Sequence, residues 1–514
     1  NYDYNISSDN AEDRVIGYNL TGVGSYTNKS NKDLTFTNLS GFTGKLVAQN
    51  GDIVLKDDKA IDNTGKVETY NNTNITLLSN NNIEVTSINL ENKNTSEGNT
   101  NKVIKDGSGK LSLGDNTSIV NFKTFEVKYG ELELKKNIEV SNIDLKDSTK
   151  LDLNFITNGT ITSKIIGTGD LIKVGTTKID IEGSKLNNTG SIDLQAGELS
   201  VTGDKVLSNK VKGSADLTFK NSNVEVKDIE NFSGNLNLEN STLTLKEDKS
   251  LNTDTKIIAK ESSNIKLDLS SDKVLNKLNV ENKGLDTNKI EKLGEAKLTL
   301  GENLNIKNFK NLDVKAGTLE IGKNIPIENV NVDTNTKLNV NNTTDIEMTS
   351  NIKGAGDIVK LGAGKLSIAS SKLNNLGDIE ISNGKVEVNL EAEKVFSNKL
   401  KGNGNLDVIA SNSNKVEFKE LKEFTGNING RDIDVTLNGD NSLNSTVNLS
   451  GTSKLNIIND NNYSNLSVNI ENGKTVINSD NKIDATIKAM TFDLDNNFEK
   501  SLTVKVLAIL VKTD

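Results

Sequence analysis

The sequence predicts an all-β fold of the parallel β-helix (β-solenoid) kind, drawn out as a rod. Three observations carry that expectation. The apolar content is thin and evenly spread, a unit of about 190 residues recurs along the chain, and short apolar triplets beat inside that unit about every 20 residues. Of the 514 residues 33% are apolar, about 41% with the 40 glycines included. Ordinary soluble domains sit at roughly 45–50% on that count. The apolar residues are mainly Val, Ile and Leu along the whole length, so a thin continuous core fits better than disorder or one thick core.

The long repeat is read by setting the chain against itself. GSGKLSLGDNTSIVNFKTFEVKYGELEL from Gly107 faces GEAKLTLGENLNIKNFKNLDVKAGTLEI from Gly294, an offset of 187 that holds without a gap to Leu199 and Val201 against Val386 and Val388. A two-residue insertion follows, after which DKVLSNKVKG faces EKVFSNKLKG. A second landmark occurs three times, as Phe42-Thr-Gly-Lys-Leu46, Phe232-Ser-Gly-Asn-Leu236 and Phe424-Thr-Gly-Asn-Ile428. The expected organisation is an N-terminal cap and first rungs over 1–41, one copy over 42–231, a second over 232–423, and a partial third with the C-terminal end over 424–514. The poorer match before about residue 31 and after about residue 481 suits the atypical ends of a solenoid, or a truncated C-terminus.

The fine beat sets the strands. Leu111/Leu113, Leu132/Leu134, Leu151/Leu153, Leu171, Ile192/Leu194 and Leu217/Phe219 are spaced mostly 19–23 residues apart. Each triplet alternates as a strand with one buried face, and Gly, Asn, Asp and Ser punctuate the gaps. A string of β-sandwich modules would show turn signals every 8–12 residues and commonly a core Trp, and Trp is missing. About 24 rungs rising roughly 4.8 Å each would make a rod on the order of 115 Å long. Residues 272–292 are the best helical candidate, interrupted by Gly284.

Composition excludes whole classes of chemistry. There is no Cys, no His, no Trp, and Pro326 is the single proline. Without His no Ser-His-Asp triad forms, and without Cys there are no disulfides, thiolate metal sites or cysteine nucleophiles. Cysteine avoidance suits export through an oxidising compartment. The net charge is -10, and Arg14 and Arg431 are the only arginines, which speaks against nucleic-acid binding. No stretch approaches the roughly 20 apolar residues of a membrane-spanning helix. The strongest apolar run, residues 507–511, reads as one buried strand. Since the chain begins at Asn1 without an export signal, it is expected to be a processed or truncated piece of a larger precursor.

The most specific string is GAGDIVKLGAGKLSI from Gly354 to Ile368. Its Gly-x-Gly pairs (Gly354 and Gly356, Gly362 and Gly364) allow tight corners, and Ile358, Lys360, Leu366 and Ile368 alternate between them. A weaker version begins at Gly167, with Thr176 and Thr177 in the second glycine pair, and Gly107 to Leu113 keeps half of it. This resembles the passenger-associated repeat of type V autotransporters, G-x-G-x-φ-x-K-x-G-x-G-x-L-x-φ. The specific match covers 15 residues in one place and fragments elsewhere. The resemblance implies a right-handed β-helical passenger, exported through an outer-membrane β-barrel that this stretch does not contain. The Asn-, Lys- and Ile-rich usage is similar to that of fusobacterial or rickettsial surface proteins.

Asp57-Asp58 and Glu247-Asp248 fall at equivalent places of two copies, with Asn438-Gly439-Asp440 in the third, so they read as solvated turns rather than a catalytic carboxylate pair. The Gly-Gly-x-Gly-x-Asp nonapeptide of calcium β-rolls is absent, and no glycine string ends in the Gly-Lys-Ser/Thr of a phosphate loop. Phe42, Phe122, Phe232, Phe309 and Phe424 recur as a repeated core corner, the alternative being a sugar-stacking ladder. Asn80-Asn81-Asn82 could form amide ladders or lie in exposed loops.

No catalytic, cofactor-binding or metal residue is expected, and no cofactor. The resemblance implies an adhesin on the surface of a Gram-negative cell, anchored to its outer membrane, meeting a protein or glycan of host cells or other bacteria. A surface-layer or filament subunit is the first alternative and a β-helical polysaccharide-degrading enzyme the second. The segments that break the repeat register, residues 92–100 and 390–393, are the candidate binding loops.

Overall fold

In the computed structural model, residues 3–6, 12–62, 65–94, 96, 98–251, 253–438, 445–458, 467–471, 484–489 and 503–504 are described. The apolar run 507–511 and two residues of the third turn motif, Gly439 and Asp440, lie outside them. The described chain is a β-solenoid of about 21 turns, nearly all parallel strand with almost no helix. Residues 272–292, read as the best helical candidate, form the strands Lys273–Asn282 and Lys289–Leu293. Their Leu275, Leu278, Val280 and Ile290 are buried, and pairing with the neighbouring turns outweighs a weak helical period.

The chain forms two compact units, Asn1–Ser263 and Asn264–Asp514. In the first, the early turns run through three short strands. Lys66–Thr69, Ile75–Leu78 and Ile83–Val85 are followed by Asn89–Asn92, which lies parallel on Lys66–Thr69. Later turns use longer strands, as where Lys205–Gly213 is covered by Asn223–Phe232. In the second unit the strands lengthen further, and Asn405–Phe424 pairs with both Lys394–Gly402 and Asn427–Asn438.

Parallel pairing in register sets equivalent residues directly above one another. The first unit stacks Leu111, Leu132, Leu151, Leu171, Ile192 and Val211 in one column. The second stacks Leu298, Leu319, Leu338, Ile358, Ile379 and Leu400. All are buried. Every apolar triplet read from the sequence is thus a rung of the core. A leucine taken out of water contributes roughly 1.5–3 kcal/mol, and each turn relies on its neighbours to bury it.

The repeated phenylalanines sit at core corners. Phe42, Phe122, Phe232, Phe309 and Phe424 are at most 4% exposed, so their rings are not open to a stacking sugar. The glycine two residues after Phe42, Phe232 and Phe424 follows from the same packing. At Gly234 a Cβ would stand 2.8 Å from the Phe232 ring and collide with the Ala215 carbonyl of the preceding turn. Gly44 and Gly426 meet Phe42 and Phe424 in the same way.

Four lysines stand inside the apolar columns. Lys105 lies in register between Leu77 and Val127, Lys173 between Leu153 and Leu194, Lys292 between Leu267 and Val314, and Lys360 between Val340 and Ile381. All four are completely buried. A buried ammonium needs an acceptor for each N–H. Here the acceptors are the turn carbonyls. Lys173 Nζ donates to Val174 O at 2.7 Å, Gly175 O at 2.8 Å and, one turn on, Ala196 O at 3.1 Å. Lys105 donates to Asp106, Gly107 and Tyr129, and Lys292 to Gly294, Ala296 and Ala316. Lys360 reaches Gly362 and Asn383. The next-turn acceptor always precedes a glycine in the left-handed region, Gly130, Gly197, Gly317 or Gly384. The recurring lysine therefore ties one turn's corner to the next.

Two predictions follow from this packing. Gly234→Ala lowers stability by about 3 kcal/mol, read from urea unfolding, because neither the ring nor the carbonyl can retreat. Lys292→Met leaves three part-buried carbonyls without their donor and costs about 2 kcal/mol at pH 7. Burial pushes Lys105, Lys173 and Lys292 down to about 8 from 10.5. Between those limits the unfolded chain binds more protons, so stability rises with pH from about 8 to 10.5. The urea midpoint should climb over that window, and climb less in Lys292→Met.

Candidate functional site

Ser96 and Asn99 of the segment 92–100 line the wall of a groove, and residues 95 and 97 of that segment lie outside the described residues. The segment lies in the longest turn of its region, where Ile75 and its in-register partner Val103 are 28 residues apart; the equivalent Ile265 and Ile290 of the second unit are 25 apart. The base of the loop is pinned by a fully buried Asn92. Its Oδ1 accepts from Thr69 Oγ1 and Asn101 Nδ2, both at 3.0 Å, and its Nδ2 donates to Asn121 O at 3.0 Å. Above that base Asn94 holds Ser96 through its Oδ1, and Asn99 Nδ2 closes back on Asn94 O at 2.7 Å.

The groove beneath is a cavity of about 430 Å³, open to solvent. The loop supplies Ser96 and Asn99, the next turn Asn121, Phe122 and Lys123, and the turn after that Glu139, Val140 and Ser141. Phe122 and Val140 are buried, at 2% and 6% exposed, and only back the floor. The side chains of Asn121, Lys123, Glu139 and Ser141 make no hydrogen bond or ion pair among the described residues. Asn121 adopts φ 64, one of the asparagines in the left-handed region that turn the chain at corners.

The same corner of the second unit is built differently. There the shorter loop, pinned by Asn282 through Asn288, carries Asp286, whose carboxylate pairs with Lys310 at 2.6 Å. Lys310 is the counterpart of Lys123, and Pro326 stands where the first unit has Glu139. The scaffold repeats; the polar equipment of the corner does not.

A second polar cluster lies on the strands Lys110–Leu113, Glu131–Leu134 and Lys150–Leu153. Lys110 Nζ sits 2.9 Å from Glu131, 2.7 Å from Glu133 and 2.9 Å from Asp152. Burial, with the Glu131 carboxylate beside it, pushes Asp152 up to about 7. Burial acts on Glu131 in the same direction, yet hydrogen bonds from Asp152 and Lys110 hold it below its usual range. Burial lowers Lys110, but the three carboxylates more than reverse this. Asp152 and Glu131 can share a proton near neutrality, while the lysine fills the space between the acids. Among the described residues no group of three or more Asp, Glu, His or Cys side chains is arranged to hold a metal ion.

The residues singled out in the sequence fall as follows. Asp57 and Asp58 open a one-turn helix, Asp58–Ile61, and Glu247 accepts from Ser250 Oγ and from the Leu251 N–H in a tight turn. Residues 390–393 are tied to adjacent turns by Asn414 on Leu390 O, Ser370 on the Glu391 N–H, and Lys415 on Glu393, and do not border the groove. Asn80 and Asn82 are exposed and their Oδ1 atoms accept from Ser108 and Lys110 N–H on the next turn. Amide ladders occur instead on strand faces, as Asn311–Asn329–Asn351 and Asn429–Asn448–Asn469. Sequence reading found the loop but missed Asn121, Lys123, Glu139 and Ser141; the replacement of Glu139 by Pro326 between aligned copies was the available signal.

The chain matches no protein-family model, no curated protein and no solved structure. The class defined by fold and site is a parallel β-solenoid with a loop-walled polar groove.

The carboxylate cluster yields a pH prediction. An unfolded Asp releases its proton near 3.8 and the folded Asp152 near 7, so between these limits the folded chain holds more protons and this group makes stability fall as pH rises. Glu131, held low, contributes in the opposite sense. Asp152→Asn introduces the residue that the second copy has there, Asn339. The variant should fold, and its thermal midpoint should decline less than that of the parent from pH 5 to pH 7.5.

Proposed function

We propose that this chain is the passenger portion of an autotransporter-like surface protein and acts as an adhesin, displayed outside the cell and contacting a host-cell or bacterial surface through loops on the solenoid. The fold supports the reading in a general way: stacked turns hold loops at fixed intervals while leaving each loop free to vary. The motif from Gly354 to Ile368 supports the passenger assignment, its lysine being the buried tie between corners. The single observation that carries the adhesin reading is the groove. Two copies of one corner share their scaffold, yet one carries a surface ion pair, and the exposed polar side chains of the other make no hydrogen bond or ion pair among the described residues. Many such weak contacts on a multiply displayed chain supply avidity.

The test is a loop exchange. Residues 92–101 are replaced by the second copy's 282–288, which the same corner already accommodates, and fluorescent beads carrying either chain are offered to epithelial cells and to other bacteria. The parent beads should bind, and the exchanged chain, with unchanged circular dichroism and thermal midpoint, should bind at least tenfold less. A parent that binds no surface, or that assembles instead into sheets or fibres, would count against the adhesin.

A further inference from the structure

We infer that Asn383 is a site of spontaneous covalent modification, its side-chain amide being lost through attack by the backbone nitrogen of Gly384. In an Asn-Gly pair that attack meets little hindrance, since glycine presents no Cβ beside the nucleophile. Five such pairs lie among the described residues, beginning at Asn50, Asn158, Asn383, Asn403 and Asn429. Their geometries differ. At Asn383 the side chain folds back on its own chain, and the Gly384 N–H donates to Asn383 Oδ1 at 2.8 Å. The carbon to be attacked is bonded to that oxygen, so nucleophile and electrophile are already neighbours. Asn383 is exposed, which admits the base and the water that the reaction needs.

The other four pairs are held away from this geometry. The Asn50 amide bonds Lys29 O and the Asn71 amide on adjacent turns, and Asn158 Oδ1 accepts from the Lys178 N–H. Asn429 belongs to a strand-face ladder between Asp407 and Asn448. Asn403 is exposed, but the Gly404 N–H donates to Ile381 O at 2.8 Å.

The step consumes only water. Gly384 N loses its proton and bonds to Asn383 Cγ; the Cγ–Nδ2 bond breaks, and Nδ2 takes up a proton and leaves as ammonia. Water then opens the cyclic imide at either carbonyl, giving aspartate or isoaspartate. In isoaspartate the main chain runs through the former side chain and is one carbon longer, and the carbonyl that Lys360 Nζ reaches at 3.5 Å is no longer part of it. The modification therefore loosens one of the four lysine ties. The equivalent tie of the first copy, made by Lys173, is immune, because Ala196 stands where the second copy has Asn383.

The test is peptide mapping by mass spectrometry of the full chain after incubation at mildly alkaline pH, folded and in urea, with an isoaspartyl methyltransferase marking isoaspartate. In the folded chain, conversion at Asn383 should exceed that at each of the other four asparagines by at least about tenfold. In urea that lead should vanish. The thermal midpoint of the aged parent should fall, and that of aged Asn383→Ala, which carries the first copy's residue, should hold. Equal or faster conversion at any of the other four in the folded chain, or a lead that persists in urea, would overturn the assignment to the folded geometry. A midpoint that holds while Asn383 converts would overturn the coupling to Lys360.

Discussion

A parallel solenoid cannot hide its corners. At four corners the carbonyls of the turn converge on a point inside the column of side chains, where they need a donor. Apolar side chains cannot satisfy them. This chain resolves the conflict with the side chain whose long aliphatic stem belongs in the column and whose head carries three donors. Lys105, Lys173, Lys292 and Lys360 each occupy an inward position where the neighbouring turns have Leu, Val or Ile, and each spreads its N–H groups over carbonyls of its own turn and the following one. The glycines around them follow from that arrangement: the backbone comes close enough to cradle an ammonium only where no Cβ intervenes. At Gly130 and Gly317 a Cβ would stand 2.8 Å and 2.7 Å from the lysine Nζ.

How much of this was legible depends on whether the determinant is local or lies across turns. The columns were readable because in-register stacking preserves the period-2 alternation of every strand, so Leu111/Leu113 and its successors announced themselves one turn at a time. The Phe-x-Gly corner was readable as a recurrence, though its cause, a ring lying against a glycine beneath the preceding turn's carbonyl, was not. The lysine ties were hidden in plain view. The string Lys-x-Gly follows an apolar alternation at 105, 173, 292 and 360, but a lysine in such a pattern looks like an exposed residue. The next-turn acceptors that make it buried lie 23 or 24 residues downstream. Residues 272–292 misled for the related reason that spacing within one turn says nothing about what the turns on either side will pair with.

The groove was half visible for the same reason. Loss of register over residues 92–100 pointed to the loop, because an insertion must bulge out of a scaffold whose strands cannot shift. The remaining walls come from two later turns, and Lys123 and Glu139 are far from the loop in sequence. What marks them is the contrast between copies. A solenoid that repeats at about 190 residues carries its own reference, so a corner that keeps its pinning asparagines while changing its charges has been altered at its surface and not in its support.

That contrast also bears on why function should sit at such a place. Inward positions are constrained twice over, by the column above and below and by the carbonyls at the corner, and a substitution there is felt by two neighbouring turns. The outer strand faces are constrained less but still laterally, as the charge cluster on Lys110 and the asparagine ladders show, since these side chains bond others one or two turns on. Loops that leave the ladder escape both conditions once their base is fixed. Asn92 and Asn101 fix this one with buried amide bonds, which frees the residues between them, and those facing them across the groove, to be chosen for what they contact outside the molecule. Recognition in this architecture is therefore expected where the register breaks.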